Sequence, residues 1–146
     1  MYTNILYATD LSENHFDISK KAAEIALRFG AKLYLLHVIE LPPTVQLAQG
    51  LGFTEFAKPV KDDAQTVMSL LGEALNIPLE RQFVEIGSIK MHVLDKVKTL
   101  NCSLIIIGSH TPSALPTFLG STAHAVVHQA TCDVLTLRTD RLTSKN

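Results

Sequence analysis

At 146 residues with 47% hydrophobic side chains, the chain matches one domain with one core. Its 13 basic and 14 acidic residues leave a formal charge of -1, which excludes the strong positive field that draws proteins to nucleic acid or an anionic membrane. No window approaches the roughly 18 uninterrupted apolar residues of a membrane helix, and Met1-Tyr2-Thr3-Asn4 lacks the basic flank and length of a signal peptide. The expected setting is the cytoplasm. Cys102 and Cys132 are too few for a disulfide framework and do not stand in a metal-ligand spacing, so two reduced, mostly buried thiols are expected.

The first apolar run, Ile5-Leu6-Tyr7-Ala8, stops at Thr9-Asp10. So little alternation suits a strand covered on both faces, as in a parallel sheet. Ile18, Ala22, Ile25, Ala26 and Phe29 then form one stripe of an amphipathic helix, with Ser12 able to cap its start and Gly30 to end it in the left-handed conformation. A second apolar strand covers Leu33 to Val38. Leu41 to Glu55 contains two prolines, two glycines and no clear period, and reads as a long, mobile excursion. Val60, Ala64, Val67, Met68, Leu71 and Leu75 restore the helical spacing, with Asn76 and Pro78 as its stop signal.

Gln82 to Ile86 reads as a third strand, followed by a helix from about Ile89 to Leu100 that Ser88 can cap and that carries Val93 and Val97 inward. Leu104 to Ile107 is the fourth strand. After a second long connection, Ser109 to Leu119, a last helix begins near Gly120-Ser121 and would bury Ala123, Val126, Val127 and Ala130. Val134 to Leu137 is the fifth strand. Strands alternating with helices imply an α/β fold, a mostly parallel sheet with helices on both faces. The expected unit is a single domain over 1–146, with its core at about 3–138 and a tail at 139–146. Both long connections leave from the carboxyl ends of strands, the edge at which open parallel sheets bind ligands.

Three segments carry a family resemblance: Ile5-Leu6-Tyr7-Ala8-Thr9-Asp10-Leu11-Ser12, the strand end Leu36-His37-Val38-Ile39-Glu40, and Gly108-Ser109-His110 followed by Leu119-Gly120-Ser121-Thr122. In this order and on these elements they resemble the universal stress protein family, over residues 4 to about 138. The resemblance implies an open five-stranded sheet in the order 3-2-1-4-5, of the Rossmann-like adenine-nucleotide alpha-hydrolase type. It also implies a homodimer and, in members that bind one, an adenine nucleotide such as ATP. Such an order opens a crevice beside Asp10 and Gly108. Carried over by the resemblance, Asp10, Leu11 and Val38 would lie at the adenine, and Gly108, Ser109, His110 and Thr111 would pass the ribose and phosphates. Gly120, Ser121 and Thr122 would then meet the phosphates at a helix N-terminus. On local chemistry alone, Asp10 equally caps a turn and Ser121 equally caps the last helix.

The sequence departs from the nucleotide-binding pattern G-x-x-G, nine residues, G-S. Thr111 replaces the second glycine and eight residues separate it from Gly120, a spacing that resembles the branch typified by universal stress protein A. Threonine resists positive φ, and Pro112 and Pro116 remove two N–H donors. No lysine or arginine stands between Ser109 and Leu119, so His110 is the one residue there able to carry positive charge. A nucleotide would therefore bind weakly, helped by a metal ion such as magnesium.

Competing motifs are absent: no GxGxxG follows the first strand, no GxxxxGK loop occurs, Gly87-Ser88 stands where a receiver domain needs its aspartate, and no GxSxG elbow appears. His124 and His128 share a face of the last helix, yet spacing suggests no third ligand, and surface histidines are expected. The sequence thus points to a stress-response protein that binds an adenine nucleotide and acts through protein partners. A nucleotide-free interaction scaffold of the same fold stands as the alternative. A slow ATPase or self-phosphorylating protein, with Ser121 or Thr122 as acceptor, is a third reading. The apolar last strand is the expected dimer edge.

Overall fold

A computed structural model describes residues 1–11, 15–53, 58–109 and 121–138. Five strands, β1 (Asn4–Ala8), β2 (Lys32–Ile39), β3 (Gln82–Ile86), β4 (Leu104–Ser109) and β5 (Asp133–Arg138), form one sheet in the order β3-β2-β1-β4-β5. Every pairing between them is parallel. The helices are α1 (His15–Phe29), α2 (Pro43–Gly50), α3 (Lys58–Leu75), α4 (Ile89–Thr99) and α5 (Ser121–Gln129). None of the described helices is long and apolar enough to cross a membrane.

Alternate residues of each strand point to opposite faces, so the apolar runs feed two cores. On one face Ile5, Tyr7, Leu33, Leu35 and Ile106 pack with Ile18 and Ala22 of α1 and Met68 of α3. On the other, Leu6, Leu36 and Ile105 pack with Val93 and Val97 of α4 and Val126 of α5. Burial on both faces explains why the central strands are apolar without alternation.

Three helices end alike. The N–H groups of Ala31, Ile77 and Cys102 donate to the carbonyls of Ala26, Gly72 and Val97, five residues back. Gly30, Asn76 and Asn101 supply the left-handed residue at these turns, with φ of 64°, 58° and 55°. Glycine and asparagine are the residues that take this conformation most readily at a helix end. Each turn delivers the chain to the amino edge of the sheet.

The segment after β2 differs from expectation. Instead of a structureless excursion, residues 43–50 form α2, with prolines at its entry. Proline is suited to the first helical turn, where its missing N–H has no partner to lose, and the carbonyl of Pro42 accepts from Val45 and Gln46. No residue of α2 is buried, so it has no apolar stripe to betray it. Four stripe positions also face outward: Phe29 is 43% exposed, Val60 46%, Val67 44% and Val127 44%. Phe29 instead meets Tyr2 edge-on, with ring centroids 5.0 Å apart. Each of these helices covers the sheet through a stripe narrower than its apolar pattern.

Candidate functional site

The carboxyl edge of the sheet is divided by its register. β1 pairs with β4 up to Ala8 opposite Ile107. Beyond that point Thr9 stays with β2, its N–H donating to Leu36 O at 2.9 Å. Gly108 and Ser109 stay with β5, opposite Leu137 and Arg138. The pairing therefore parts between Thr9 and Gly108, where the sheet order reverses, the position at which open parallel sheets bind ligands.

Thr9 is the pivot of the β1 side. It is buried, and its carbonyl accepts from His37 Nδ1–H at 2.8 Å, which assigns the proton to that nitrogen because a carbonyl can only accept. Its hydroxyl accepts from Leu11 N–H at 3.0 Å. Leu11 has φ 61°, a left-handed conformation that costs a leucine about 1 kcal/mol. Backbone strain of this kind persists where neighbours over-determine it. The result is a fixed turn that carries Asp10 exposed at its tip.

Beneath the turn lies a buried hydroxyl cluster. The hydroxyls of Ser19, on α1, and Tyr7 are 3.2 Å apart, and both residues are fully buried. Burial pushes the Tyr7 phenol up, while its hydrogen bonds to Ser19 and Thr9 pull the other way; the charge of Asp10 adds to the rise. Sequence reading missed Thr9, His37 and this Tyr7–Ser19 pair. A histidine inside the apolar run of β2 was the available signal.

The remaining expected site residues divide. Val38 sits in β2 opposite Glu85, and its side chain is packed into the core that includes Leu36 and Val93, which leaves mainly backbone for a ligand. Gly108 and Ser109 end β4, and Ser121 and Thr122 open α5. His110, Thr111 and Gly120, with the shortened loop they belong to, lie outside the described residues, as does Ser12. Asp10 and Leu11 thus follow the end of β1, and Gly108 and Ser109 close the neighbouring strand β4.

One strand further along the same edge, Glu40, Gln46 and Gln49 join Ile86, Gly87 and Ser88 around a cavity of about 430 Å³. Ser88 Oγ accepts from Met91 N–H at 3.3 Å and caps α4 as expected. His124 and His128 are exposed, with ring centroids 4.4 Å apart and edge-on. Among the described residues, no group of three His, Cys, Asp or Glu could hold a metal ion.

Comparisons with known proteins agree with this architecture. A family model described as the universal stress protein family matches residues 1–138. Universal stress protein A homolog 1 of Coxiella burnetii is 35% identical over 139 residues, which span 92% of this chain and 94% of that protein. Universal stress protein C of Salmonella typhimurium is 28% identical over 142 residues, with 92% and 94% covered. Among solved structures, universal stress protein UspA from Lactobacillus plantarum superposes with a TM-score of 0.66 at 26% identity, covering 94% of this chain and 98% of that one. A universal stress protein in complex with cAMP gives a TM-score of 0.69 at 17% identity, with 95% and 98% covered, a likeness of fold alone.

Proposed function

Since this chain belongs to the universal stress protein family, we propose that it binds an adenine nucleotide, ATP or a relative, in the crevice between Asp10 and the segment from Gly108 to Thr122. The observation that carries this reading is the parting of β1 and β4 between Thr9 and Gly108, with Asp10 held at the mouth by the strained Leu11 turn. A carboxylate there suits the amino group of adenine, and the start of α5 suits phosphate. The cAMP complex of a protein with this fold supports the same ligand class. Phosphate charge would be met by backbone N–H groups and a magnesium ion, since the loop from Ser109 to Leu119 has no lysine or arginine.

In this reading the chain acts as one domain over 1–146 in the cytoplasm, where its two free cysteines suit a reducing milieu, and it signals through protein partners. It pairs with a second copy through β5, an outer strand of the sheet whose Val134, Leu135 and Leu137 are half-buried in the single chain. Unpaired apolar edges are aggregation hazards unless covered.

Calorimetry with ATP and magnesium tests the site. Asp10→Ala should weaken ATP and ADP alike by roughly ten- to a hundredfold, the worth of a hydrogen bond to a charged group. Gly120→Val should weaken it further, because a β-branched side chain intrudes on the phosphates. Thr111→Gly restores the family residue and should strengthen binding. Absence of heat for both the wild type and Thr111→Gly would refute the nucleotide reading and leave the interaction scaffold.

A further inference from the structure

His124 and His128 stand one helical turn apart on α5, a spacing that sets two side chains on one face. Both are exposed, and their ring centroids are 4.4 Å apart with the planes at 67°. Among the described residues neither ring has a hydrogen-bond partner. His37 and His92 differ: each is half-buried and hydrogen-bonded to a backbone carbonyl, that of Thr9 and that of Ile86. The α5 pair therefore keeps its ring nitrogens available.

The helix around these rings suits a cation. It contains no lysine or arginine, and His128 lies in its last turn, where unpaired carbonyls gather negative partial charge. It contains no carboxylate either, so the cation must be one that neutral imidazole nitrogen holds. Magnesium and calcium take oxygen ligands, whereas copper, nickel and zinc accept imidazole. The separation of the rings chooses among these. Nitrogens about 2.0 Å from the metal at neighbouring corners of a tetragonal ion put the ring centroids about 4.5 Å apart, against about 5.2 Å on a tetrahedral one. The observed 4.4 Å matches the tetragonal arrangement.

We propose that His124 and His128 form a two-imidazole site for a tetragonal divalent ion, Cu²⁺ ahead of Ni²⁺, with water in the remaining positions. Structural zinc takes four ligands, and among the described residues no third ligand joins this pair. The site is thus open to exchange. At 1.5 Å rise per residue its centre lies about 7.5 Å along the helix from Ser121, apart from the phosphate end of the proposed nucleotide site. It does not depend on that reading.

The test is an NMR titration of the full chain with Cu²⁺, whose paramagnetism broadens nearby amides, beside calorimetry with Cu²⁺, Ni²⁺, Zn²⁺ and Mg²⁺. Cu²⁺ should broaden the amides from His124 to Gln129 first and saturate at a single ion per chain. Ni²⁺ and Zn²⁺ should each bind at least about tenfold more weakly, following the general order of these metals at nitrogen ligands, and Mg²⁺ should give no heat. His124→Ala and His128→Ala, on an exposed face where alanine favours the helix, should each weaken Cu²⁺ at least about tenfold, because the second imidazole adds within the molecule. His128→Ala combined with Gln129→His keeps the number of histidines but turns the second ring off the shared face, and should not restore binding. The proposal is overturned if broadening centres on His37, His92 or the amino terminus, or if Zn²⁺ binds more tightly than Cu²⁺. It is equally overturned if either single variant binds as tightly as the wild type, or if the combined variant recovers the affinity.

Discussion

The hydroxyl of Thr9 holds the N–H of Leu11 at 3.0 Å, and this single contact across Asp10 stabilises a leucine at φ 61°. Thr9 is itself tied to β2 from both sides of its peptide, through Leu36 O and His37 Nδ1. Thr9→Val keeps the shape and deletes the acceptor. It should cost about 1–3 kcal/mol in urea unfolding, the penalty of an unpaired N–H in a partly buried turn, and should weaken nucleotide binding as Asp10 loses its fixed position. Thr9→Ser retains the oxygen and should keep both. Equal behaviour of the two variants would mean that the hydroxyl does not hold the turn.

Tyr7 and Ser19 join β1 to α1 under that turn through buried hydroxyls 3.2 Å apart. Removing either hydroxyl takes one buried hydrogen bond from the other residue, Tyr7 keeping its bond to Thr9, whereas removing both takes out the contact between them from its two ends at once. Tyr7→Phe and Ser19→Ala should each destabilise by about 1–2 kcal/mol, and the double variant by clearly less than their sum. A double-mutant cycle in denaturant measures this coupling, and strict additivity would contradict it.

The β5 edge makes a prediction about assembly. Leu135 sits at mid-strand opposite Ile106, with β4 on one side of its strand and no further strand of the described chain on the other. Leu135→Lys should lower the mass seen by light scattering from that of a dimer to that of one chain, because a charge at a packed strand interface is unmatched. An unchanged dimer with a native circular dichroism spectrum would count against β5 as the interface.

The sheet was legible in the sequence because its strands are buried on both faces. Ile5 to Ala8 and Leu104 to Ile107 could hardly be anything else in a chain that alternates with helical stripes. Helix ends were legible too, since Gly30 and Asn76 announce the left-handed turns they adopt. α2 was not, for its prolines are stop signals inside a helix and start signals at its first turn, and only the fold decides which. Asp10 and Gly108 could be placed at the carboxyl ends of β1 and β4 from the apolar runs before them. The left-handed Leu11 could not, because it runs against the preference of its own residue type and depends on Thr9.

The thiols carry a prediction for alkaline pH. Cys102 lies 7% exposed in the core with Val97 and Ile105, and burial first, then the nearby Cys132, pushes its thiol up from 9.0 to about 11. Cys132 is raised as well, chiefly by burial. A thiol is neutral when protonated, so a raised pKa means that folding favours the protonated form. Below pH about 9 both folded and unfolded chains keep the proton, and this stabilisation is fully present. Between about 9 and 11 the unfolded chain releases its proton first, and stability falls as pH rises. The urea midpoint should therefore drop from pH 8.5 to 10.5, less steeply in Cys102→Ala. Tyr7, raised from 10.0, adds its own loss at the upper end of that range and leaves a residual slope in the variant. Thiol titration of the unfolded, non-reduced protein should count two free groups, in keeping with the two unbonded cysteines of the fold. Identical pH slopes for the wild type and Cys102→Ala would show that the buried thiol makes no such contribution.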